Sequence, residues 1–304
     1  MSGFKCRAKL VGGFSLIAAI RYALMPLVLL VVLACSASFI SYGILWVTGD
    51  VLPINKIISK ATLVLLILSI FPLRKYLSFS WKELGFAPAK RFFSQLHQGL
   101  ILSLATLLPV LVVLYLLDVH VWDNTRLWTV GKVASKVGVA LFFALLIAVG
   151  EELLFRGMLL TSLRRKMNVV LAVIISAVYY SALHFLRSSS QITYAELTPT
   201  SGLQLVSEAF ANWLNPEIIS AFIALLVVGL FLAVIRSRVR HSLGMCIGCH
   251  TGWVWQIKVS KDLFNLNSQS EFLYLVSSYD GVVGPFVSVW LFVAMLVLIY
   301  FRRR

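Results

Sequence analysis

Eight mostly apolar runs divide the chain, near positions 23–47, 57–73, 99–117, 135–160, 169–186, 216–235, 242–258 and 284–301. A bilayer core accepts only segments that close their backbone hydrogen bonds internally, and a helix needs about 20 residues to cross it. The runs therefore predict an all-α fold, a polytopic transmembrane helix bundle of about eight spans. The second and seventh are the weakest, being short or interrupted by polar residues. Composition agrees. Of 304 residues, 60% are hydrophobic and 13% charged, against roughly 25% charged in a soluble domain. No polar linker, low-complexity stretch or solenoid repeat splits the chain, so 1–304 reads as a single integral membrane domain.

A net charge of +15 on a soluble protein would point to nucleic acid. Here Lys and Arg flank the apolar runs, as topology signals do, so the expected partner is the lipid bilayer and not nucleic acid. One side would carry Lys5, Arg7, Lys9, then Arg74, Lys75, Lys82, Lys90, Arg91, then Arg164, Arg165, Lys166, then Arg236, Arg238, Arg240, and last Arg302, Arg303, Arg304. The other would hold Lys56, Lys60, Arg126, Lys132, Lys136, Arg187, Lys258 and Lys261 with most of the acids. The positive side is expected to be cytoplasmic. Both termini then lie inside, and the location is a multi-pass protein of the cytoplasmic (inner) membrane. The basic start followed by an apolar run is like a signal peptide, and Val32-Leu33-Ala34-Cys35 hints at a lipoprotein site. The chain stays apolar through Val47, however, and an uncleaved first span is simpler. The four cysteines, Cys6, Cys35, Cys246 and Cys249, form no secreted disulfide framework.

Ionisable groups inside a bilayer cost a few kcal/mol each and call for partners or a purpose. The chain places Glu151, Glu152 and Arg156 in ALLIAVGEELLFRGMLL, His184 in AVYYSALHFL and His250 in CIGCHTGWVW. On a helix, adjacent Glu151 and Glu152 point roughly 100° apart. Glu152 precedes Arg156 by four residues, the favourable order for a pair. That pairing leaves Glu151 free to face a cavity. Spans four and five read as a hairpin turning near 165–168. Glu151 lies about 16 residues before the turn and His184 about 16 after it, so both should sit roughly 24 Å from it. His250, ten residues beyond Arg240, is also well inside. Three ionisable groups from three helices are thus expected to converge.

The EExxxR string at Glu151–Arg156 resembles the first motif of the CPBP family of intramembrane proteases, also called the Abi or CAAX-protease-like family. The second motif of that family, FxxxH, is similar to Tyr180-Ser-Ala-Leu-His184. Its third, HxxxN or HxxxD, aligns with His250-Thr-Gly-Trp-Val254, with valine in place of Asn or Asp. A polar loop with Glu83-Leu-Gly-Phe86 before span three adds to the likeness. The resemblance covers a catalytic core at 136–257. It implies proteolysis within or near the bilayer, with Glu151, Glu152, Arg156, His184 and His250 as site residues and a membrane-associated protein or peptide as substrate. Processing of a tethered peptide is favoured over trimming of prenylated CAAX proteins. The role of the missing Asn or Asp at 254 falls to Tyr180, Gln256 or a backbone amide. The chemistry suits these residue types: a carboxylate as general base for water, a histidine to position it or protonate the leaving amine, and a donor for the oxyanion.

The favoured reading requires no cofactor. Its alternative is zinc held by Glu151, His184 and His250, the three-ligand set of catalytic zinc sites. Two rival functions stand beside proteolysis. A non-proteolytic protein of the same scaffold, with an immunity or transport role, would also keep buried charges. Cys246-Ile-Gly-Cys249-His250 is a literal c-type haem attachment string, with His250 as axial ligand.

Overall fold

The computed structural model describes residues 16–50 and 52–301. The basic flanks Lys5, Arg7, Lys9, Arg302, Arg303 and Arg304, together with Cys6, lie outside the described residues. Helices occupy all eight apolar runs: α1 (Leu16–Thr48), α2 (Ile54–Tyr76), α3 (Ala89–Leu116), α4 (Val130–Glu152) prolonged by a π-helical turn (Leu153–Leu159) into α5 (Leu160–Arg164), α6 (Val169–His184), then α8 (Ile219–Arg238), α9 (Leu243–Leu263) and α10 (Pro285–Phe301), with a short α7 (Ser201–Ala211) between α6 and α8. Thr129 caps α4 through the Lys132 amide, and Asn168 caps α6 through the Leu171 amide. Cys35 sits in mid-helix within α1.

Among the described residues, five stretches are long and apolar enough to cross a membrane, namely Ile20–Thr48, Ile54–Tyr76, Ala89–Leu116, Val130–Arg164 and Pro216–Arg238. The chain is a multi-pass helical membrane protein. The second run, expected to be weak, is one of the five. Helices α6 and α10 are apolar but shorter. The seventh run, α9, is not among these stretches, because it carries glycine, histidine, glutamine and lysine on an apolar background. It is instead the centre of the bundle, buried on every side from Leu243 to Trp253, so it has little need of a lipid-facing surface. Outer faces are apolar, as at Val28, Val64, Phe142, Val170 and Val293, while Glu152, Arg156 and His250 are inside.

Glycine spacing explains how α9 comes to lie there. Gly244, Gly248 and Gly252 repeat every four residues and line one face, the small-residue pattern that lets membrane helices close in. A Cβ on Gly244 would lie 2.8 Å from the Phe92 carbonyl oxygen, one on Gly248 would strike the Leu96 carbonyl, and one on Gly252 the Ser103 hydroxyl. Across the contact, a Cβ on Gly99 would reach 2.6 Å from the Cys249 amide. Helices α3 and α9 therefore run parallel, almost backbone to backbone. His250, two residues from both Gly248 and Gly252, points away from α3. A two-stranded antiparallel ribbon, β1 (His120–Trp122) with β2 (Phe264–Leu266), ties the ends of the same two helices in the register Val121 to Asn265.

The expected hairpin of α4–α5 with α6 forms. Ser176 donates to the Phe155 carbonyl at 3.4 Å, and α6 packs on α8, where a Cβ on Gly229 would lie a tight 3.0 Å from Ala177 Cα. At the arginine-rich end, residues 77–88 fold inward, burying Phe79 and Leu84. Arg165 bridges Glu83 at 2.7 Å and donates to the Leu77 carbonyl at 2.9 Å, while Arg236 donates to the Glu83 carbonyl at 2.7 Å. The Ser80 amide and the Arg165 guanidinium hold the Glu83 carboxyl down to about 2.

Overpacking a tight helix contact costs about 1–3 kcal/mol. Gly248→Val should therefore lower the melting temperature and yield of the detergent-purified protein. Gly138→Val, at a position open to the surroundings, should leave both unchanged in the same thermal-unfolding assay.

Candidate active site

The last turn of α4 delivers two carboxylates. Glu152 is wholly buried, and its Oε1 accepts from Arg156 Nη1 at 3.0 Å. The expected pair is present, but it does not account for all that Glu152 does. The same oxygen meets His250 Nδ1 at 2.8 Å, so Glu152 also orients a histidine. Arg156, equally buried, lies in the wider π turn, a form often found at functional sites. It donates Nη2 to the Gly229 carbonyl at 3.2 Å and stacks 4.3 Å from the Tyr180 ring centre.

Glu151 points to the neighbouring face, as the 100° step requires. Its Oε2 lies 3.8 Å from His184 Nε2 and 3.9 Å from His250 Nε2. The convergence expected from the hairpin depth is what the structure contains. His184 Nδ1 sits 2.7 Å from the Tyr180 carbonyl. A carbonyl only accepts, so Nδ1 carries the proton. The Glu152 carboxylate assigns the same tautomer to His250. In neutral rings both Nε2 atoms are then acceptors facing a third acceptor, Glu151 Oε2, which is buried without a hydrogen-bond partner. Such a centre suits a proton donor such as water, or a cation.

Glu151, His184 and His250 are the donors that would hold a metal. Tetrahedral zinc with bonds near 2.0–2.1 Å sets ligand atoms roughly 3.4 Å apart, whereas two acceptors of one water stand roughly 4.4 Å apart at ordinary hydrogen-bond lengths. The observed separations fall between the two. Among the described residues, no group of three His, Cys, Asp or Glu side chains forms a metal-holding cluster.

Two cavities, of about 580 Å³ and about 390 Å³, meet at Glu151, His184, Arg187 and Tyr279, the residues common to both linings. Tyr180, His250 and Val254 line the larger one. Gln256, a sequence candidate for the missing Asn or Asp, is not there. It lies on the α3 side, donating to the Ser103 and Gly252 carbonyls at 3.2 and 3.0 Å, because six residues turn a helix roughly 240° away from His250. Tyr279 went unnoticed in the sequence. It sits in the loop before α10, beyond 257, with no periodic signal to mark it. Its ring packs 5.1 Å from Phe185. Burial and the nearby Asp280 push its hydroxyl up to about 12, which keeps it a donor.

Cys246 and Cys249 are fully buried within α9, with Cys246 Sγ against the Leu232 carbonyl at 3.5 Å and Cys249 against α3. His250 is held by Glu152. In this arrangement the Cys246–His250 string packs inside the bundle.

Residues 133–256 match the family model described as type II CAAX prenyl endopeptidase Rce1-like. This stretch contains Glu151, Glu152, Arg156, His184 and His250. No curated protein matches the chain, and no solved structure does. The likeness to the CPBP group drawn from EExxxR and the two histidines is thus borne out, and the segment that builds the site is similar to the Rce1-like CAAX endopeptidases.

Proposed function

We propose that the protein is an intramembrane endopeptidase that hydrolyses a peptide bond of a membrane-associated protein or peptide with a glutamate-activated water. The observation that carries this reading is Glu151 Oε2, buried with no hydrogen-bond partner and facing two imidazole Nε2 atoms where two cavities join. A water lodged among them would donate to Glu151, which takes its proton as the oxygen attacks the peptide carbonyl. The same proton then passes to the leaving amine. The water's second hydrogen goes to one of the two imidazole Nε2 atoms, His184 or His250, and Glu152 supports any positive charge that His250 gains during transfer. Tyr279 is suited to donate to the oxyanion in place of the residue that valine supplants at 254. Metal-free operation is favoured, and the setting is a bacterial cytoplasmic membrane with a tethered peptide as substrate.

Glu151→Gln should abolish cleavage of co-expressed membrane-anchored peptides at unchanged abundance. Arg156→Ala should lower abundance as well, because an unpaired buried Glu152 costs about 3–5 kcal/mol. Full activity in Glu151→Gln would reassign the base. A parent that cleaves no anchored peptide although folded would return the chain to the non-proteolytic role.

Tyr279→Phe should reduce kcat by about 10²-fold, the scale of losing one oxyanion donor, with KM nearly unchanged. An unaltered kcat would leave the oxyanion to a backbone amide or Tyr180.

Exhaustive treatment with a permeant chelator should leave activity intact. Activity lost on chelation and restored by zinc, with stoichiometric zinc by elemental analysis, would overturn the metal-free mechanism and keep the same residues.

A further inference from the structure

The two ends of the bundle differ both in charge and in closure. Of the twelve acids, Glu151 and Glu152 belong to the site and Glu83 alone lies at the end with Arg74, Arg91, Arg164, Arg165, Arg236 and Arg240. The remaining nine lie at the opposite end, mixed with Lys and Arg. The Lys and Arg clusters at 74–91, 164–166 and 236–240 assign the arginine-rich end to the cytoplasm under the positive-inside rule.

That end is shut. Loop 77–88 is folded inward over α5 and α8, pinned by Arg165 and Arg236 on Glu83 and by the Leu243 amide on the Gly85 carbonyl at 3.0 Å. Gly85 has φ +103°, and a Cβ there would meet Arg236 at 2.6 Å, so the loop lies directly on the guanidinium. None of the arginines or lysines of this end lines either cavity that reaches Glu151.

The cavities run the other way. The larger is lined by Lys136 near the start of α4, Lys258 and Lys261 near the end of α9, and Asp280 before α10. The smaller takes in Asn55 at the start of α2 and Ser188 beyond the end of α6. All six positions belong to the acid-bearing end. From Lys136 to Glu151 is fifteen residues of helix, roughly 22 Å, so the passage is deep and still has its mouth on that side. Lys136 is paired with Asp262 at 2.9 Å.

We infer that water and substrate reach Glu151 from the non-cytoplasmic side, through the opening bounded by Lys258, Lys261 and Asp280. The inference rests on the site proposed above and adds a side. The peptide it serves is exposed on, or emerges at, the face away from the cytoplasm, as in an exported or outward-tethered polypeptide. A chain anchored wholly in the cytoplasmic leaflet would meet the closed loop instead.

Single-cysteine additions test this with a membrane-impermeant maleimide. Lys258→Cys and Val254→Cys would probe the mouth and the cavity wall, and Lys166→Cys the arginine-rich end. The parent, whose Cys246 and Cys249 are buried, gives the background. Right-side-out vesicles should label the first two above background and spare Lys166→Cys, and inverted vesicles should show the reverse. Labelling of Lys258→Cys and Val254→Cys only in inverted vesicles would overturn the inference. Should Val254→Cys fail to accumulate, Lys261→Cys replaces it at the rim. The readout needs no peptidase activity, so an inactive protein would sink the proposed reaction without touching the assigned side.

Discussion

One buried carboxylate oxygen, Oε1 of Glu152, joins three helices. It accepts one hydrogen bond from Arg156 on its own helix and one from His250 on α9, while Arg156 continues to the Gly229 carbonyl on α8. After relaxation, each ion withdrawn from water still costs several kcal/mol. In an apolar surround with no competing solvent, that cost is relieved only when all partners are in place. The site is therefore not an ornament on a finished bundle. The rotation of α9, the depth of α4 and the closeness of α8 are coupled through it, and losing one partner strands the others.

Much of this was legible in the chain itself. The apolar runs placed the helices. The step between adjacent glutamates separated a paired carboxylate from a free one, and counting residues on either side of the 165–168 turn put His184 level with Glu151. What escaped had physical reasons. Glu152 on His250 depends on how α9 is rotated, and that rotation is fixed by its glycines against α3. Their four-residue spacing was there to be read. Gln256 could have been set aside from helical phase alone. Tyr279 belongs to an irregular loop whose path follows from hydrogen bonds of Asp280 and Ser277 to nearby backbone, and no periodicity announces it. The amphipathic α7 was passed over because it is too short to span.

Valine at 254 changes the wall more than the centre. It lines the larger cavity without adding a donor, and that lining also includes Tyr180 on α6 and Tyr279 on the loop, each with a hydroxyl. In the proposed reaction, polarisation of the carbonyl thus shifts from a helix carrying a histidine to a segment between helices, whose position is set by the ribbon end of the molecule through His120 Nε2 on the Gly281 carbonyl at 2.7 Å.

Loop 77–88 has a further consequence, one for the cell's energy supply. A protein that admits water to the middle of a bilayer shortens the distance an ion must travel across it, and the membrane potential is worth about 2.3 kcal/mol per charge for each 100 mV. The inward-folded loop leaves an insulating layer between that water and the arginine-rich end. Its single carboxylate stays ionised down to about pH 2, so the contacts of Glu83 with Arg165 hold above that pH and fail only as it falls through that value. On the cytoplasmic side inferred for it, that contact is therefore insensitive to pH changes near neutrality. The proposed hydrolysis would then proceed within the membrane without discharging it.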